Sequence, residues 1–347
     1  LHGRRLYGIE GARSVRLVRQ TGLVRVGAAD RGDSEHRAVR GRFAPSPTGD
    51  LHVGNLRTAT MAWLSARSVG GSFVVRLEDL DRAQATSAHE RSQLDDLRAI
   101  GLDWDGEVVR QSDRFERYDE AIERLADSGL VYECSCTRSE IRAEIAAASQ
   151  APHLPPGSYP GTCRDLSAAE RRRRRSDGRP VALRLRSDGR VITFDDRVHG
   201  ETTGMADDVV LRRNDGVPAY NLAVVVDDAA QGITEVLRGD DLLPTTPRQI
   251  ALQQLLGLPR PDYVHVPLVV DDEGRRLAKR RGEPVTLRDL SAAGVSSADV
   301  VSWIGRSLGR DDVGGPTDVT GLVVGFDAAA HGAEPVPWTI RSTRTIR

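Results

Sequence analysis

The sequence predicts an α/β fold: a parallel, Rossmann-type sheet divided by a metal-holding insertion and followed by a short helical C-terminal segment. Three observations carry this prediction. The stretch Arg42-Phe-Ala-Pro-Ser-Pro-Thr-Gly-Asp-Leu-His-Val-Gly-Asn55 reads as a buried strand end, a proline-stiffened turn and a helix N-terminus in succession. Strand patterns at 72–77, 234–242 and 265–270 alternate with helical ones, the order of a parallel sheet with right-handed crossovers. At 347 residues the chain is too long for one small core, and its three cysteines all fall within 134–163, which marks a separate unit in the middle.

Residues 1–40 carry nine arginines against four acids and little periodicity. They are expected to be a disordered or mis-started extension. The first half of the nucleotide-binding fold is expected over 41–130. There Pro45 and Pro47 fix their own φ and push Ala44 and Ser46 into extended backbone, so the chain enters its turn rigidly. Thr48-Gly-Asp50 supplies the turn chemistry. Leu51, Leu56, Met61, Trp63 and Leu64 then recur at roughly helical spacing. His52, Gly54 and Asn55 thereby fall in the first turn of a helix, whose free N–H groups favour an anion such as phosphate. The strand at 72–77 runs into Arg76-Leu-Glu-Asp-Leu-Asp81, which puts Glu78 at its carboxyl end. A polar helix over 85–100 stops at Gly101, and Trp104 reads as packing.

An insertion is expected over 131–205. Cys134-x-Cys136 is poor geometry for a disulfide, and with Cys163 it offers three thiolates for a structural, tetrahedral zinc. The fourth ligand on residue type alone is His153 or Tyr159. Five consecutive arginines, Arg171 to Arg175, read either as a track for a phosphate backbone or as a solvated helix face. Strands follow at 181–186, 191–194 and 207–212, with Asp188-Gly and Asn214-Asp-Gly as turns.

The second half of the nucleotide fold is expected over 206–285. It opens at 219–228 with an apolar run that reads as a buried strand or a helix entry, continues with a strand at 234–242 that ends in charge, and has its last strand at 265–270. Behind that strand lies Lys279, the single lysine among 49 basic residues. A compact ammonium on a flexible stem suits a phosphate-binding loop where arginine does not. Over 286–347 two helical patterns, 286–293 and 297–308, give way to Gly- and Asp-rich sequence. Net charge is −1, so any nucleic-acid contact must come from local patches. No apolar run approaches the ~18 residues of a membrane span. A monomeric, cytoplasmic protein is expected.

The 42–55 stretch resembles the "HIGH" signature of class I aminoacyl-tRNA synthetases in its glutamyl and glutaminyl form, with Asn55 in place of the second histidine. Arg276-Leu-Ala-Lys-Arg280 resembles the second signature, "KMSKS", with Lys279 on the phosphate-contacting position. The resemblance implies activation of L-glutamate by ATP with Mg²⁺. In it His52 and Lys279 are catalytic, and ATP is bound by His52, Gly54, Asn55 and Lys279. Glutamate is bound by Arg42, Phe43, Ala44, Pro45, Ser46, Glu78, Tyr220 and Arg238. Two arginines and one glutamate complement two carboxylates and one ammonium; which arginine takes which carboxylate stays open.

Cys134-x-Cys136 with Tyr159-x-x-x-Cys163 is similar to the pattern of the glutamyl-queuosine tRNA(Asp) synthetases, a shortened branch of the glutamyl enzymes. This implies Tyr159 as the fourth zinc ligand, no anticodon-binding domain, and the queuosine base in the anticodon of tRNA(Asp) as acceptor. The alternatives are a truncated glutamyl-tRNA synthetase charging the 3′ end of tRNA(Glu) and a lapsed synthetase kept as an RNA-binding module.

Overall fold

The structure is a computed structural model and describes residues 38–147, 159–271, 273–277, 285–310 and 318–339. Strand β1 (Arg40–Phe43) pairs in parallel with β2 (Ser72–Leu77), and β2 with the short β3 (Val109–Arg110). Helix α1 (Val53–Arg67) makes the crossover from β1 to β2, and α2 (Ser87–Ala99) the one from β2 to β3. Helix α3 (Phe115–Asp127) then leads out of this half.

A small antiparallel sheet follows. It joins β4 (Val131–Cys134) to β5 (Ala182–Leu185), and β5 to a strand beyond the expected insertion, Val210–Arg212. Helices α4 (Arg138–Ala147) and α5 (Ala168–Ser176) lie between β4 and β5 in the chain. The next strands, β6 (Arg190–Asp196) and β7 (Gly200–Ala206), form a hairpin, and Val210–Arg212 is β8. Helix α6 (Tyr220–Ala230) leads into β9 (Glu235–Gly239), and α7 (Thr246–Leu256) into β10 (Asp262–Val266). The sheet order is β7-β6-β10-β9, with β6 and β9 both parallel to β10. The insertion therefore lends a strand to the second half. The two halves meet where Thr234 N–H donates to the Arg40 carbonyl at 3.0 Å.

One open reading is resolved and one element differs from the sequence reading. The run at 219–228, read as a buried strand or a helix entry, is helix: its apolar residues bury Leu222, Ala223, Val224 and Val225 beneath α7, and a continuous apolar run does not distinguish the two by period. The strand expected at 265–270 is two. Pro267 supplies no ladder N–H, so β10 ends at Val266, and a separate β11 (Val269–Val270) pairs with β12 (Val336–Pro337). Between them run α8 (Leu287–Ala292) and α9 (Ser297–Ser307). The Gly- and Asp-rich tail is no loose end where described. Val319, Leu322 and Trp338 are buried in the main core, and Trp338 meets Trp303 edge-on at 4.7 Å. Buried Arg57 ties α1 to the end of α9 through Ser307 Oγ at 3.0 Å and to the link after β10 through the Pro267 carbonyl at 3.2 Å.

Candidate active site and metal centre

A cavity of about 440 Å³ opens at the carboxyl ends of β1, β2 and β9. Such ends of an open α/β sheet are where ligands bind, because helix N-termini and loop side chains converge there. The end of β1 and its turn contribute Arg42, Phe43, Ala44, Pro45 and Ser46. The start of α1 contributes His52, Gly54 and Asn55; Glu78 follows β2, Tyr220 opens α6 and Arg238 lies in β9. All residues expected to hold glutamate or ATP line this one cavity, apart from Lys279, which with Ala278 lies outside the described residues. Arg276 is described and reaches the rim, where it pairs with Asp241 at 2.6 Å.

The proline turn is braced from behind. Glu78 N–H donates to the Pro45 carbonyl at 2.9 Å and Thr86 N–H to that of Pro47 at 3.1 Å. Gln93 Nε2 donates to the carbonyls of Ser46 and Gly49 at 3.0 and 2.6 Å.

Where the turn meets α1, His52 is the N-cap residue. Its Nδ1 accepts the Asn55 N–H at 3.2 Å, and Asn55 Oδ1 accepts the His52 N–H at 3.2 Å, a reciprocal capping box. An accepting Nδ1 puts the proton of the neutral ring on Nε2, which is then a donor. Gly54 has a local reason to be glycine: a Cβ there would lie 2.9 Å from His52 Cε1 and 3.0 Å from its Nδ1.

The other end of the cavity is a buried charge cluster. Asp228 takes Arg76 Nη1 at 2.8 Å and Arg42 Nε at 3.4 Å, and Arg42 Nη1 also donates to the Leu237 carbonyl at 3.2 Å. Asp227 closes the cluster below, accepting from Gln111, Arg114 and Tyr118 at 3.0, 2.6 and 2.7 Å. Glu78, 8% exposed, has among the described residues only a long 3.4 Å side-chain contact, to Arg76 Nη2. Burial pushes its carboxyl up to about 7, against the opposing pull of Arg76 and Arg42. Tyr220 is pushed up as well, by burial and then by the Glu78 charge. Arg238 pairs with neither Asp240 nor Asp241. It donates to His265 Nε2 at 3.0 Å and Thr246 Oγ1 at 2.9 Å, and its buried Nη1 has no hydrogen-bond partner among the described residues. This cavity thus offers cationic groups and a carboxylate without a strong partner at one end, and a neutral N–H donor with helix N–H groups at the other.

The candidate metal centre lies apart from the cavity. The Sγ atoms of Cys134, Cys136 and Cys163 fall within 4.8 Å of one another. Cys136 Sγ is 3.4 Å from Cys163 Sγ and 3.7 Å from Tyr159 Oη, and Cys134 Sγ is 3.4 Å from the same phenol oxygen. Zinc–sulfur bonds of about 2.3 Å place the corners of a tetrahedral site about 3.8 Å apart, so the four atoms fit zinc with little movement. Three soft thiolates and one oxygen, all from protein, suit a structural ion. The Arg184 guanidinium lies 3.8 Å from the Tyr159 ring, and Arg174 Nη1 lies 3.3 Å from Cys163 Sγ. His153 lies outside the described residues.

A family model described as "tRNA synthetases class I (E and Q), catalytic domain" matches residues 38–310. The chain belongs to this family. Among curated relatives, the glutamyl-Q tRNA(Asp) synthetase of Nocardia farcinica is 57% identical over 85% of this chain and 91% of its own length. That of Cutibacterium acnes is 48% identical over 83% and 81%. A glutamate–tRNA ligase of Nitratidesulfovibrio vulgaris is 46% identical, but over 70% of this chain and 51% of its own length. Of solved structures, the glutamate-tRNA synthetase from Elizabethkingia anophelis superposes with a TM-score of 0.72 at 27% identity, covering 87% of this chain and 68% of that one.

Within this class I synthetase, the five-arginine run is α5, a helix with no buried residue, capped by Ser167 and Glu170. Arg175 pairs with Glu133 beside the metal centre, and Arg172 and Arg173 face solvent. The sequence reading missed Gln93, Asp228, Thr246 and His265. Asp228 alone carried a signal, because an acid that closes an apolar run must find a buried cation. The others act through contacts across the sheet that no local pattern encodes.

Proposed function

We propose that this enzyme activates L-glutamate with ATP and transfers the glutamyl group to the queuosine base in the anticodon of tRNA(Asp). The observation that carries the activation step is the pairing, in one cavity, of Arg42, Arg238 and Glu78 with a capped His52 at the other end. Glutamate presents two carboxylates and one ammonium, which two arginines and Glu78 match in sign and number. Tyr220 adds a hydroxyl donor beside them.

In this reading the α-carboxylate of glutamate attacks the α-phosphorus of ATP in line, a P–O bond forms, and pyrophosphate leaves with the electron pair of the broken one. His52 Nε2–H donates to the phosphate oxygens as their charge grows, and Lys279 contributes the same from the second signature loop. Mg²⁺ bound with ATP would neutralise the leaving pyrophosphate. The positive end of the α1 dipole favours the same charge. No side chain becomes acylated, so the protein contributes position and preorganised charge.

The acceptor is supported by the names of the two relatives above, which this chain matches over most of their length, and by the Cys134, Cys136, Tyr159 and Cys163 set. In the insertion, zinc held by these four would pin α4 and α5 to the antiparallel sheet. We place the enzyme in the cytosol as a monomer; no described helix is long and apolar enough to cross a membrane. Pyrophosphate exchange dependent on glutamate, and not on glutamine or aspartate, tests the activation step. An enzyme with no such exchange is not a glutamate-activating one.

A further inference from the structure

Arg238 is oriented by a buried chain of side chains that starts in the strand contributed by the insertion. Asp196 ends β6, and its fully buried carboxylate accepts the N–H groups of Val198 and His199 at 3.0 Å each and of His265 at 3.1 Å. Its Oδ2 lies 2.6 Å from His265 Nδ1. A carboxylate can only accept, so Nδ1 carries the proton and Nε2 keeps a lone pair. Arg238 Nε–H donates to that lone pair at 3.0 Å, and an arginine Nε can only donate. The two ends of the imidazole thus require the same tautomer. Burial, more than the Arg238 charge, holds His265 below its ordinary range, so the ring stays neutral.

The strand pattern explains why these residues meet. In β10, Tyr263 and His265 share a face and stack at 6.0 Å, and the parallel register sets His265 opposite Arg238 of β9. Thr246, at the start of α7, accepts Arg238 Nη2 at 2.9 Å. Nη1 is left buried without a hydrogen-bond partner among the described residues.

The consequence concerns charge. Arg42 and Arg76 both lean on Asp228, which neutralises part of their field. Among the described residues no carboxylate pairs with Arg238: its direct partners are a neutral imidazole nitrogen and a hydroxyl. It is fixed in place without a carboxylate in contact, and although it shares the field of Asp228 with Arg42 and Arg76, it is the one of the three that makes no ion pair with it.

We propose that His265, locked in one tautomer by Asp196, is a positioning residue that holds the Arg238 guanidinium for a substrate carboxylate, an inference that rests on the glutamate reading above. The relay separates into two halves by mutation. An asparagine amide nitrogen stands near the Nδ1 position, so His265→Asn keeps the bond to Asp196 and loses Arg238. A glutamine reaches the Nε2 position, so His265→Gln keeps an acceptor for Arg238. Asp196→Asn keeps the shape, but its amide donates to Nδ1, which drives the ring proton to Nε2 against the Arg238 N–H.

The test is steady-state pyrophosphate exchange on the full chain, with melting temperature recorded for each variant. His265→Asn and Asp196→Asn are expected to raise the glutamate KM at least ~10-fold, with the ATP KM changed by less than ~2-fold, while His265→Gln recovers most of the glutamate KM. Equal glutamate losses in His265→Asn and His265→Gln, tracking their melting temperatures, would reduce the relay to packing and overturn the proposal. An unchanged glutamate KM in Asp196→Asn would overturn it too. A wild-type enzyme without glutamate-dependent exchange would instead remove the glutamate reading itself.

Discussion

His52 and Asn55 cap each other across the first turn of α1, each side chain accepting the other residue's backbone N–H at 3.2 Å. The asparagine that stands where this family's first signature has a second histidine is therefore a structural partner of the first. Asn55→Ala breaks one arm of the box. We expect a loss of about 1 kcal/mol in stability, a fall in kcat as the His52 ring loosens, and partial recovery with Asn55→Asp, which restores the acceptor. Thermal denaturation and exchange kinetics on the three proteins check this, and a stable but fully active Asn55→Ala would contradict it.

Gly54→Ala separates site from fold. Alanine is the better helix former by about 1 kcal/mol, yet its Cβ would sit 2.9 Å from His52 Cε1. The ring must swing out of its cap. The expected result is a melting temperature near or above that of the wild type together with at least a ~10-fold lower kcat, about 1.4 kcal/mol in the barrier.

Glu78 gives a pH signature of known sign. Burial pushes its carboxyl up from 4.5 to about 7. A substrate ammonium favours the ionised form, so glutamate binding at pH 7 releases protons, and the glutamate KM rises as pH falls below about 7. On stability the sign is opposite. The folded value is raised, so this group favours folding fully below pH 4.5, and that contribution, about 3 kcal/mol, is lost as pH rises through 7. Glu78→Gln should therefore gain melting temperature over the wild type at pH 8 but not at pH 4.5, while losing glutamate activation. A pH-independent difference in melting temperature would contradict this.

About one zinc per chain is expected, held by Cys134, Cys136, Tyr159 and Cys163. Cys163→Ala removes a fully buried ligand and should abolish metal binding and unfold the insertion. Tyr159→Phe should keep the metal more weakly, since three thiolates remain. Elemental analysis of purified wild type without zinc would reject the centre.

The parts of this fold that were legible in the sequence are the local ones. The strand–turn–helix at 42–55 could be read because proline, glycine and helical spacing act within a few residues, and the cysteine set because its spacing is short. Lys279 stood out by composition alone; as Lys279→Arg it should lose at least ~10-fold in activation, about 1.4 kcal/mol, because the larger guanidinium does not replace a compact ammonium. What stayed hidden depends on pairing across the sheet. His265 reads as an ordinary strand residue until the register sets it against Arg238, and the apolar run of Tyr220–Ala230 fits strand and helix alike until α7 covers it. The burial of Val319, Leu322 and Trp338 was hidden by the Gly- and Asp-rich sequence around them.

The central claim is the acceptor. Labelled glutamate, ATP and the enzyme are incubated with queuosine-containing tRNA(Asp) and, separately, with tRNA(Glu), and each product is cut by nuclease into acceptor end and anticodon stem-loop. Label is expected on the stem-loop of tRNA(Asp), dependent on queuosine and on Glu78. Label on the 3′ end of tRNA(Glu), with none on queuosine tRNA(Asp), would contradict it.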